Sequence, residues 1–178
     1  VTWKKLEAPV TDKMEIEKAN NESLRDESIR LVIEDAKNLN ADFVILGGDF
    51  NEPSHLDWTE DTKELWDHNG AVVHWDCSKL LYEAGFRDAY RVKHPNPITH
   101  PGFTFPSDNP DMAVERLTWA PEADERDRID FIYYIPADGW KVKDAIVVGP
   151  RSSIVRSQRV DENSQDSFSP PAGIWPTD

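Results

Sequence analysis

The stretch Asp42-Phe43-Val44-Ile45-Leu46-Gly47-Gly48-Asp49-Phe50-Asn51-Glu52-Pro53 decides the fold class. Phe43 to Leu46 are continuously apolar, rich in β-favouring side chains and bounded by turn formers. A short run of this kind, without alternation, predicts a strand buried on both faces. Just upstream, Ile29, Val32, Ile33 and Ala36 recur at helical spacing. They predict a helix of about 15–18 residues with one apolar stripe. Ser23-Leu24-Arg25-Asp26 reads as its capping box, and Leu39-Asn40 as its end. A helix running closely into a buried strand is an α/β signature.

Working outward, residues 1–21 are polar and mixed, an irregular lead-in without a clear period. Residues 51–76 read as loop, with one short helix near Thr59–Trp66. Ser78 to Ala84 predicts a second helix, with Gly85 just past its end. Pro95, Pro97, Pro101, Pro106 and Pro110 mark an ordered loop, in which Phe103-Thr104-Phe105 is the one strand-like piece. Arg128 to Ile135 and Trp140 to Val148 predict two more strands. Residues 151–178 are rich in Ser, Pro and Asp and read as a long loop. A loop of that length is uncommon inside a compact domain. Together with a start at Val1, it makes residues 1–178 read as a partial domain.

The composition narrows the class. The chain of 178 residues carries 20 Lys plus Arg against 34 Asp plus Glu, a formal net charge of −14. Apolar residues make up 38%, with 7 Trp, 7 Phe and 4 Tyr, enough for a packed core. No run of 18 apolar residues exists, so no transmembrane helix is expected. A soluble chain, cytoplasmic or exported, fits. The single Cys77 excludes an internal disulfide and a cysteine-rich zinc site. Strong acidity repels polyanions unless a metal or local patch offsets it. Long duplex DNA is therefore a weaker expectation than a small or lipid-borne anion.

Ligands bind at strand ends in α/β folds, which turns attention to Asp49 and Asn51. The preceding glycines permit a tight turn and close backbone approach. Two positions apart, the side chains point the same way in extended geometry. A carboxylate beside an amide can hold a cation or align a water against a phosphate. The same residue types also form turns for purely local reasons. Asp130 lies between Ile129 and Phe131, where a charge is costly unless paired or used. Arg126 and Arg128 are the obvious residues to satisfy it. The five histidines show no metal-ligand spacing, and His100, in the proline loop, is a candidate substrate contact.

Four pieces in this order resemble the endonuclease/exonuclease/phosphatase superfamily, the DNase I-like metal-dependent phosphoesterases. They are Gly48-Asp49-Phe50-Asn51, Gly102-Phe103-Thr104-Phe105, Asp127-Arg128-Ile129-Asp130-Phe131-Ile132-Tyr133 and Thr177-Asp178. The resemblance covers roughly residues 22–178, the second half of such a domain. It implies half of a two-sheet α/β sandwich with helices on the outer faces. It also implies hydrolysis of phosphoester bonds by the parent enzyme, a phosphodiesterase, phosphatase or nuclease.

By the same resemblance, Asp49 aligns the attacking water, Asn51 holds the phosphate and Asp130 orients a histidine. Asp178, with Asp49, belongs to the shell of a Mg²⁺ or Mn²⁺ ion, and the four residues are expected to converge. The family's metal-binding glutamate has no counterpart here, and its Asp-His motif is truncated after Asp178. The chain alone is therefore expected to be nearly inactive. The rival reading is a non-catalytic binding module that keeps the scaffold. Small-molecule or lipid phosphodiesters are the favoured substrates, although the family also includes nucleases. Self-association through exposed edges is expected of half a sandwich.

Overall fold

The computed structural model describes residues 10–169. It is a mixed α/β structure, with helices α1 (Lys13–Asn21), α2 (Arg25–Asn38), α3 (Asp76–Glu83) and α4 (Ala89–Lys93). Strands β1 (Val44–Asp49), β2 (Arg87–Asp88) and β3 (Asp130–Ile135) form one antiparallel sheet in the order β1-β3-β2. Strands β4 (Val147–Val148) and β7 (Phe168–Ser169) pair in parallel, and β5 (Ser152–Val155) forms a hairpin with β6 (Gln158–Asp161).

The core explains why the helix and strand form where they do. Ile29, Ile33 and Ala36 of α2 and Cys77 and Leu81 of α3 pack with Phe86, Phe131 and Tyr133. Val44, Leu46, Phe50 and Ile135 close this cluster. Alternation along β1 and β3 sends one set of side chains into it. The other set faces outward, and Ile45 and Ile132 are each 59% exposed. β1 is thus covered on one face among the described residues, not on both. A second cluster gathers Ile16, Trp58, Ala71, Val73 and Trp75.

Several expectations need correction. Residues 1–21 are not irregular throughout, because α1 occupies Lys13–Asn21, with Asp12 accepting from the Glu15 N–H at 3.1 Å. Ser23 does not cap α2. Leu24 is the cap residue, in left-handed backbone (φ 58°), while the Ser23 hydroxyl donates to the Asn20 carbonyl at 2.6 Å. The serine closes the corner between α1 and α2, its oxygen also accepting the Arg25 N–H at 3.4 Å. Thr59–Trp66 forms turns, and the long segment from Trp140 reaches strand geometry only at Val147–Val148. Trp140 stacks on Phe43 instead, at 4.6 Å between ring centres. Residues 151–169 are not a loop, since they contain β5, β6 and β7. The second helix lies where expected, and Gly85 follows it with φ 98°, a conformation open to glycine.

Candidate functional site

β1 and β3 place two carboxylates face to face. In their register Asp49 pairs directly with Asp130, at the end of the strands where Gly47 pairs with Ile132. Directly opposed residues share one sheet face, with Cβ atoms about 4.5–5.5 Å apart. That face is the outward one, and both aspartates are exposed. Like charges so placed repel. Neither of the expected arginines relieves this. Arg126 pairs with Asp124 and Glu162, each at 2.7 Å. Arg128 pairs with Asp57 at 2.8 Å and Asp88 at 2.6 Å, inside the protein.

Although Asp130 is exposed as a residue, protein crowding its carboxyl raises its pKa. A hydrogen bond with the Thr104 side chain lowers it, and the Asp49 charge raises it. Thr104 also accepts the backbone N–H groups of Ile129 (3.1 Å) and Asp130 (3.2 Å). The middle residue of Phe103-Thr104-Phe105 thus ties the proline loop to the start of β3. Sequence reasoning assigned Thr104 no role of its own. Its position between two aromatic residues was the available signal, since alternation turns it away from both rings.

Asn51 reaches Asp49 by a different route from the expected one. The glycines before Asp49 lie within β1 and form no turn. Asn51 is not extended, with φ 48°. Its backbone N–H donates to Asp49 Oδ1 at 2.6 Å and its Nδ2 to Oδ2 at 2.9 Å. This is the local turn chemistry of Asx residues, and it locks the amide beside the carboxylate. Phe50 anchors the turn, its N–H donating to the Ile129 carbonyl at 2.8 Å and its ring packing edge-on against Phe131 at 5.4 Å.

The structure therefore brings Asp49, Asn51 and Asp130 together. Asp178 lies outside the described residues. His100 is engaged elsewhere: its ring stacks on His94 at 4.4 Å, and Nδ1 lies 2.9 Å from the Thr99 hydroxyl. Two carboxylates and an amide are hard oxygen donors of the type Mg²⁺ and Mn²⁺ prefer. Among the described residues, no three His, Cys, Asp or Glu side chains gather so as to hold a metal ion. The pair is thus a partial donor set.

The loop after β1, β2 and the residues before β3 also share a buried ionic network that sequence reasoning did not find. Asp57 pairs with both Arg91, at 2.6 Å, and Arg128, while Asp88 caps α4 through the N–H groups of Tyr90 and Arg91. Arg91 also donates to the carbonyls of His94, His100 and Pro101. Glu52, 1% exposed, is another hidden carboxylate, and burial raises its pKa. Gly102 permits close packing over the network. A side chain there would meet Tyr90 Cε1 at 2.5 Å, and its φ is +67°.

No family model matches the chain, and no solved structure matches it. The chain is 42% identical over 91 residues to an uncharacterised protein of Caenorhabditis elegans. The match covers 51% of this chain and 27% of that relative, so the chain spans about a quarter of the relative's length.

Proposed function

We propose that the chain contributes part of the active site of a metal-dependent phosphoesterase of the DNase I-like type. The observation that carries this reading is the direct opposition of Asp49 and Asp130 on an exposed sheet face, with no arginine on either. Hydrogen bonds from Asn51 ease the charge on Asp49, but among the described residues no Lys or Arg is paired with either carboxylate, and close carboxylates without a counter-charge are functional-site candidates. The resemblance in four ordered sequence pieces points the same way. In this reading the three-stranded sheet is one half of a sandwich, and Ile45 and Ile132 face a second sheet.

Asp49 would orient and deprotonate the attacking water. An amide nitrogen carries two hydrogens, so the bond from Asn51 Nδ2 to Asp49 leaves one hydrogen for a phosphate oxygen. Asp130, held by Thr104, would orient a histidine of the full-length protein other than the five in these 178 residues, and so fix its tautomer. Asp49, with Asp178, would help to hold Mg²⁺ or Mn²⁺. When bound, the ion would neutralise charge on the phosphoryl oxygens. A net charge of −14 favours small or lipid-borne phosphodiesters over long nucleic acid.

The test is hydrolysis of bis-p-nitrophenyl phosphate by the full-length natural protein, with Mg²⁺ or Mn²⁺ and with EDTA. Metal-dependent turnover is expected, and Asp49→Ala should lower kcat by about 10² or more, as losses of charge-stabilising groups do. Absence of metal-dependent turnover would overturn the reading. If the protein still bound the diester under those conditions, a non-catalytic binding module would take its place.

A further inference from the structure

Immediately after Asn51, Glu52 turns inward and is 1% exposed. Both of its oxygens are occupied. Oε1 accepts the Cys77 backbone N–H at 2.7 Å, at the start of α3. Oε2 accepts Asn20 Nδ2 at 2.8 Å, from the end of α1, and the Cys77 thiol at 3.3 Å. Arg25 Nε, at the start of α2, lies 3.9 Å away. One carboxylate therefore ties the residue after Asn51 to three helices. Asn51 itself sits at φ 48°, a conformation that asparagine tolerates but does not impose. Phe50 pins the other side of the turn through the Ile129 carbonyl. The asparagine is thus clamped from both neighbours, and one clamp is a buried carboxylate that never reaches the outer face.

We infer that Glu52 is a positioning residue: its buried contacts with Asn20 and Cys77 hold Asn51 in the turn that presents its amide beside Asp49. The inference rests on the phosphoesterase reading for its catalytic consequence, but the clamp itself can be tested without turnover. Glu52 is assigned no contact with substrate or metal. A displacement of about 1 Å in a substrate-positioning group costs up to about 10² in rate.

The experiment compares Glu52→Gln with the double variant Asn20→Asp/Glu52→Gln in the full-length natural protein. In the single variant one carboxylate oxygen becomes an NH₂ group, so residue 52 cannot accept from both the Cys77 N–H and the Asn20 amide while Asn20 keeps its oxygen on Arg25 at 3.3 Å. The exchange in the double variant restores a donor-acceptor pair with the polarity reversed. Glu52→Gln should lower kcat for bis-p-nitrophenyl phosphate by about 10–100-fold with KM nearly unchanged, and the double variant should recover most of the loss. In parallel, the backbone and side-chain amide signals of Asn51, followed by ¹⁵N NMR, should shift in Glu52→Gln and return in the double variant. A fall in Tm with unchanged kcat and unchanged Asn51 signals would make Glu52 merely structural and overturn the inference. If the natural protein shows no turnover, the phosphoesterase reading fails while the Asn51 signals still decide the clamp. If Glu52→Gln does not fold, Asn20→Ala, which removes one arm of the clamp, should move the same Asn51 signals. Unmoved signals there would refute it.

Discussion

His68 should make the protein lose stability on mild acidification, and the size of the loss can be worked out. The ring is 3% exposed and lies face to face on Trp58, 3.8 Å between ring centres, with Trp66 edge-on at 5.7 Å. Burial lowers its pKa from 6.5 to about 4, outweighing the charges of Asp57, Asp124 and Asp67, which raise it. The folded state therefore favours the neutral ring. Below pH 6.5 the unfolded chain takes up the proton first, so stability falls as pH falls. The loss is complete once pH drops below the folded value of about 4. Each pH unit between the unfolded and folded values is worth about 1.4 kcal/mol, so the whole effect is about 3 kcal/mol, of which about 2 kcal/mol is gone by pH 5. Carboxylates also titrate in this range, so the informative quantity is a difference between variants. Urea denaturation of wild type and His68→Gln, followed by tryptophan fluorescence at pH 7 and pH 5, supplies it. Wild type should lose about 2 kcal/mol more than the variant between the two pH values. Equal losses would refute the reasoning and mean that the ring takes up its proton in the folded state.

Asp57→Asn leaves Arg91 and Arg128 without their shared carboxylate. Removing one partner of a buried pair costs about 3–5 kcal/mol. The three carbonyls on Arg91 and Asp88 on Arg128 place this variant near the lower end, and a urea midpoint close to wild type would contradict it. The exposed Ile45 and Ile132 face predicts that the 178-residue chain self-associates and that Ile132→Lys weakens the association. Sedimentation velocity over a concentration series checks this, and a wild-type chain monomeric throughout would count against it.

Much of the central sheet was legible because its signals are redundant. The apolar stripe of α2 and the glycine after α3 agree with where the chain packs, and the unbroken run of β1 marked the strand although only one of its faces is covered among the described residues. The elements that were missed lack such agreement. α1 buries only Ile16 and Asn20, so it has almost no stripe, although Asp12 three residues before Glu15 carries a start signal. The β5–β6 hairpin turns through Arg156 and Ser157, both at positive φ, 48° and 59°. Two-residue turns of that kind normally announce themselves with Asn or Gly, and this one does not. Asp49 and Asn51 were singled out by a spacing argument that assumed extended backbone, whereas their contact comes from a turn. The opposition of Asp49 and Asp130 depends on register between strands distant in sequence, which local pattern does not encode. Glu52 and Asp57 were hidden because charged residues in a polar stretch give no sign that they are buried.

In the proposed mechanism Asp49 and Asp130 act as one site in phosphoester hydrolysis. A double-mutant cycle on kcat/KM tests this most directly, using Asp49→Asn, Asp130→Asn and the pair in the full-length natural protein with Mn²⁺ and bis-p-nitrophenyl phosphate. Residues that work as a unit show strongly non-additive losses. Each single variant should lose about 10² or more, and the double variant should be little worse than the poorer single one. Losses that multiply, or an Asp130→Asn enzyme as active as wild type, would contradict the mechanism.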